Sequence, residues 1–192
     1  MTATRHLALR ELQALLGVRE SGGNNLGVSV EAIQRSDTLT APDTGYAWCQ
    51  SAQNAGRRLA TGATWRTKAG AHAIVPSKRW KLAGGHMLAD GTASVWAFAT
   101  WAEQHGYRVS RPYRGDHVAF DFRGAGFPAD HVGIVERVLA LRPFGYWIQT
   151  IEGNTGPAGA VLSGDENTGA DGIYRKRRWV RHGRVRFYRV EG

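Results

Sequence analysis

Cys49 is the one cysteine of the chain, set in the stretch Gly45-Tyr46-Ala47-Trp48-Cys49-Gln50 at the head of helical signals that run towards Leu59. A single thiol cannot close an internal disulfide, so it is either an inert core residue or a chemical one. A cysteine nucleophile needs a base to take its proton, a positive or dipolar setting for the thiolate, and a third group to fix the base. The start of a helix supplies the setting, because its unpaired N–H groups and its dipole favour an anion. The N–H of Cys49 itself could serve an oxyanion. His131, in Asp-His-Val-Gly-Ile-Val-Glu at the start of an apolar strand, is the candidate base. Glu152 and Asn154, in Thr-Ile-Glu-Gly-Asn-Thr-Gly at the end of the next strand, are the candidates to orient it, and strand alternation places them on one face. Of the two, Glu152 is expected to contact His131 directly. Each residue also has a plain structural reading: a small core cysteine, a core histidine, and turn residues at a hairpin end that Gly153 and Gly156 flank.

The elements that must position these groups follow from periodicity. Leu9, Leu12 and Leu16, with Ala8 and Leu15, form a helical stripe closed by Gly17, and Val30 to Gln34 form a second short apolar patch. Ser94 caps a further helix through His105, with Val95, Phe98, Ala99 and Ala102 on one face and Gly106 ending it. Beyond Gly106 the period shortens into runs such as His-Val-Ala-Phe-Asp-Phe and Tyr-Trp-Ile-Gln-Thr-Ile-Glu, and into a final pair around His182-Gly183, which read as antiparallel strands. Helices first and strands afterwards predict an α+β domain. Residues 62–91 carry no clear pattern and read as an insertion.

Composition bounds the rest. The 192 residues are 42% hydrophobic and 21% charged, enough for one globular core over 1–192. The net charge of +9 is local, since Tyr174 to Arg189 hold eight cations and no acid, leaving +1 elsewhere. Alternation of basic and apolar residues there predicts an exposed strand pair over 173–190 with one packed face. Its functional alternative is attraction to anionic polymers, and nucleic acid is not expected. The N-terminus lacks the pattern of a secretory signal and no stretch is long enough to span a membrane, so synthesis in the cytoplasm is expected. Glu20, beside a glycine loop, reads as an exposed turn anchor, and His117 as a surface or packing histidine.

The stretches Gly-Val-Arg-Glu-Ser-Gly-Gly-Asn-Asn (17–25), Tyr-Ala-Trp-Cys-Gln (46–50), Arg-Gly-Asp-His-Val-Ala-Phe-Asp-Phe (114–122), Asp-His-Val-Gly-Ile-Val-Glu (130–136) and Thr-Ile-Glu-Gly-Asn-Thr-Gly (150–156) occur in an order that resembles the CHAP domains of the NlpC/P60-like cysteine hydrolases. The resemblance runs from Gly17 to about Ile173 and leaves residues 62–91 unmatched. It implies a papain-like fold with N-terminal helices packed on an antiparallel sheet. It also implies cleavage of a peptidoglycan amide bond, as amidase or endopeptidase, with Cys49 as nucleophile, His131 as general base and acid, and Glu152 and Asn154 orienting and polarising it. Asp116 is expected to hold the turn into its strand.

A phage endolysin, released through a holin to act on the wall as a monomer, is the expected role. A virion-associated wall enzyme or an inert basic wall-binding module is the alternative. Some CHAP domains carry an acidic calcium loop before the cysteine, whereas Ala-Pro-Asp-Thr-Gly-Tyr-Ala-Trp-Cys offers only Asp43, so neither metal nor other cofactor is expected. Many relatives have Gln before the cysteine where this chain has Trp48, which leaves the side-chain oxyanion donor unassigned.

Overall fold

The computed structural model describes residues 4–35, 47–60, 64–68, 71–75, 94–124, 129–156 and 171–190, the two short segments 64–68 and 71–75 by their backbone alone. The leucine stripe becomes α1 (Thr4–Ala14), which buries Ala8, Leu9 and Leu12. Val30 to Gln34 lie in a short helix, α2 (Val28–Arg35). The cysteine opens α3 (Cys49–Ala60). The region expected as an unpatterned insertion contains two antiparallel strands, β1 (Thr64–Lys68) and β2 (Ala71–Val75), in a separate two-stranded sheet. Helix α4 (Val95–Gln104) begins where Ser94 accepts the Ala97 N–H, and buries Val95, Phe98, Ala99 and Ala102 as its spacing dictates.

Six further strands form one antiparallel sheet: β3 (Arg108–Val109), β4 (His117–Phe120), β5 (His131–Arg142), β6 (Gly145–Thr155), β7 (Gly172–Arg181) and β8 (Val185–Tyr188). Their order is β3-β8-β4-β5-β6-β7. The architecture is α+β, as the pattern predicts. The two C-terminal strands do not pair with each other. β7 lies at the sheet edge beside β6, whereas β8 lies between β3 and β4. The Arg181-Gly183 turn can join them because the sheet coils: Val180 of β7 packs in one cluster with Val185 and Phe187 of β8 and with Val118 and Phe120 of β4.

On the helix side, Ile134, Ile151 and Ile173 of the sheet pack against α1 and α3 through Leu9, Leu12, Ala52 and Ala55. Helix α4 seals the neighbouring region, where Phe98 and Ala102 meet Cys49, Ala119, Val132 and Tyr188. Burial of this much aliphatic surface fixes where α3 starts relative to β5 and β6. Among the described residues no helix is long and apolar enough to cross a membrane.

The basic run is not a free solvated face. Five of its eight cations are held by acids from other elements: Arg175 by Glu136, Arg178 by Glu152, Arg184 by Asp121, Arg186 by Glu103 and Arg189 by Asp116. A charge excess that is local in sequence is thus largely neutralised in space.

Candidate active site

The first intrahelical bond of α3 runs from the Ala52 N–H to the Trp48 carbonyl at 2.9 Å, so the N–H groups of Cys49, Gln50 and Ser51 have no acceptor within the helix. What holds the helix start in place is Trp48, fully buried, whose Nε1 donates to Glu20 Oε1 at 3.0 Å. Glu20 is therefore not the exposed acid expected: it is 6% accessible and anchors the residue before the cysteine. On the other side of the indole lies β6. A Cβ on Gly153 would overlap that of Ala52 and reach within 3.3 Å of the Trp48 ring, so only glycine lets the strand approach the helix this closely.

His131 is 1% accessible and opens β5. Its Nε2 lies 2.9 Å from Glu152 Oε2, and since an ionised carboxylate only accepts, Nε2 carries the donated hydrogen. The neutral ring then keeps its lone pair on Nδ1. That nitrogen has no hydrogen-bond partner of ordinary geometry, and the neighbouring group is Cys49, whose thiol acts on the ring. Burial disfavours the charged imidazole, but Cys49 and Glu152 outweigh it and raise its pKa from 6.5 to about 10. The imidazolium is the state this favours.

Glu152 is fully buried on β6, opposite Gly133 of β5. A Cβ at Gly133 would stand 2.7 Å from Glu152 Cγ, so the glycine makes the space the carboxylate occupies. Oε2 takes His131 and Arg178 Nη2 (2.5 Å), while Oε1 takes Arg178 Nε (2.7 Å) and the Thr150 hydroxyl. Burial pushes this carboxyl's pKa up, but Arg178 and His131 pull it well below the usual carboxylate range. Phe120 and Phe122 line the same place, their ring centres 5.8 and 5.6 Å from the His131 ring.

The sequence-predicted residues thus divide. Cys49, His131 and Glu152 come together. Asn154 does not join them by any hydrogen bond to His131: it has φ 54°, in the left-handed region, and the β6–β7 register shifts between Glu152 and Thr155. That break ends the alternation that would have kept it on Glu152's face. Its Oδ1 is buried without a partner. Asp116 accepts the Tyr113 N–H at 2.8 Å and pairs with Arg5 and Arg189, which pins the turn before β4. His117 is fully buried, edge-on to Phe98 at 5.4 Å, so it packs and is not on the surface. Asp43 lies outside the described residues. Among those residues no group of three or more His, Cys, Asp or Glu is placed to hold a metal ion.

Arg178 is the member of the constellation that sequence reasoning missed, because it sits in a basic run that reads as surface. The signal was a glutamate inside the apolar run Trp-Ile-Gln-Thr-Ile-Glu: a buried carboxylate requires a cation, and this acid-free strand could supply one.

No curated protein and no solved structure matches the chain. The model of the CHAP domain family matches residues 39–154, more than half of the 192 residues and the whole span from the cysteine to the acid that meets the histidine. With the helix-borne thiol, the strand-borne histidine and the antiparallel sheet in place, the chain belongs to the CHAP domain family, whose members act as hydrolases on peptidoglycan.

Proposed function

We propose that the protein cleaves an amide bond in the peptide part of peptidoglycan with Cys49 as nucleophile, as an amidase or endopeptidase. The observation that supports this most directly is His131, buried with Nε2 on Glu152 and its other edge towards Cys49. The Cys49 thiolate attacks the carbonyl carbon, and the charge that develops on the oxygen meets the N–H groups at the start of α3 that have no acceptor within the helix. His131 imidazolium then gives its proton to the departing amine as the C–N bond breaks, leaving a thioester on Cys49. Neutral His131 takes a proton from water, the resulting hydroxide adds to the thioester, and the carboxylic acid leaves as the thiol is regenerated.

Glu152 stabilises the imidazolium and fixes the ring's tautomer; Asn154 is the lesser partner, near the site but off the histidine. Applied to intact cells, the same reaction is bacteriolysis, which is the endolysin role proposed from the resemblance. Cys49→Ala is expected to abolish release of new termini from purified peptidoglycan while leaving the circular dichroism spectrum unchanged, because the substitution removes only a small side chain. Hydrolysis that persists in this variant overturns the reading. Mass spectrometry of the wild-type products separates the two bond types: a free alanine amino terminus beside intact muramic acid marks an amidase.

A further inference from the structure

Glu152 poses a question that the thiol and histidine do not answer: what keeps a fully buried carboxylate charged and aimed at Nε2? Thr150 contributes one hydroxyl, but Arg178 supplies two hydrogen bonds, one to each oxygen, in the side-on geometry that only a guanidinium offers. The arginine is itself held. Its side chain is 10% accessible, and its guanidinium carbon lies 5.3 Å from the centre of the Phe120 ring and 4.9 Å from that of Phe122. Those two rings are the ones that flank His131. The same aromatic pair therefore positions both the base and the cation two places behind it.

We infer that Arg178 is a positioning residue for the reaction: from the edge strand β7 it locks the Glu152 carboxylate in the orientation that presents Oε2 to His131. This deepens the function proposed above and rests on it. The reasoning separates Arg178 from its neighbours in the basic run. Arg175 makes an equally close pair with Glu136, but its side chain is 46% exposed and its acid touches Gln13 and Gln149, not the histidine. A simple basic surface would give the two arginines equal weight; this arrangement does not.

The test measures the rate of Cys49 alkylation by iodoacetamide against pH, alongside kcat/KM on purified peptidoglycan. Removing the cation raises the pKa of the imidazolium near it, so Arg178→Met is expected to move the alkaline limb of the profile, which His131 sets, to higher pH and to lower kcat/KM by roughly 10²-fold through loss of alignment. Arg178→Lys keeps the charge and loses the two-pronged geometry, so its limbs stay in place while its rate falls. In a Glu152→Gln background, Arg178→Met should cost little further rate, since the carboxylate it positions is gone, while the alkaline limb still moves with the lost charge.

A wild-type alkaline limb and rate in Arg178→Met overturn the inference, as does an equal loss of rate from that change with and without Glu152. Should Arg178→Met fail to fold, Arg178→Lys decides: full wild-type rate there removes the positioning role. The alkylation profile uses no wall substrate, so its outcome is separate from that of Cys49→Ala, on which the proposed function itself depends.

Discussion

His117 and His131 lie on neighbouring antiparallel strands and are each at most 1% accessible, yet they hold protons in opposite ways. Burial, aided by Arg57, depresses His117 to about 3, whereas His131 is raised to about 10 against the same burial. Desolvation is common to both and decides neither role. The difference is the partner: His131 has a carboxylate at 2.9 Å and a thiol beside it, while both nitrogens of His117 lack hydrogen-bond partners and its ring packs on Phe98. A buried histidine without an acid is filler with a latent cost at low pH; with an acid behind it, it becomes a poised proton carrier.

The largest effect expected from this contrast is that of His131→Ala, which removes the base and should lower kcat by about 10³-fold or more, measured on purified peptidoglycan. Retention of a tenth of the rate would break the comparison at its root. Next comes Glu152→Gln. Without the negative charge the imidazolium is less favoured, so the alkaline limb of the pH–rate profile should fall below about 10, and the rate should drop roughly 10²-fold. An unchanged alkaline limb would show that Glu152 does not set the base. This shift is opposite in sign to that expected for Arg178→Met, which makes the pair of variants more informative than either alone.

The smallest effect on activity is expected from His117→Leu, which should leave kcat/KM near wild type. Its signature is stability. The unfolded histidine binds its proton below 6.5 and the folded one only below about 3, so stability falls as pH drops through that window, by at most about 1.4 kcal/mol per pH unit. His131 acts in the other direction: its raised pKa contributes stability that is complete below 6.5 and lost as pH rises through about 10. Urea titrations from pH 7 to 3 should therefore show a flatter decline for His117→Leu than for wild type. Parallel declines would mean that His117 is accessible to protons in the native state.

Local pattern was enough to find α1, α4 and the three residues that meet. The leucine stripe, the Ser94 cap and the change of period after Gly106 each depend on residues close in sequence, and the meeting of Cys49, His131 and Glu152 is foreshadowed by their types and order. Pairing between distant strands does not show in this way. Alternation in β7 and β8 marks two strands but carries no information about which neighbour each selects, so the expected strand pair resolved into one edge strand and one interior strand. For the same reason the arginines read as surface, since the acids that neutralise them lie between 26 and 83 residues away. Glu20 was misread because its partner, the Trp48 indole, is 28 residues on and says nothing in the local glycine loop. Asn154 fails the alternation argument through a single left-handed residue, a backbone state that asparagine tolerates better than most.

The position of β7 also bears on the order in which the protein is made. A ribosome that has delivered the chain as far as Thr155 has already supplied Cys49, His131 and Glu152, but Glu136 and Glu152 still await the arginines of β7. At that moment Glu152 lacks the cation that offsets its burial, and a desolvated, unpaired carboxylate is costly enough to keep the sheet from closing around it. The cluster is therefore completed by β7 and not by Cys49, His131 or Glu152. A hydrolase assembled in this sequence stays incomplete through most of its own synthesis, with the closing step set by long-range pairing that is slow relative to helix formation.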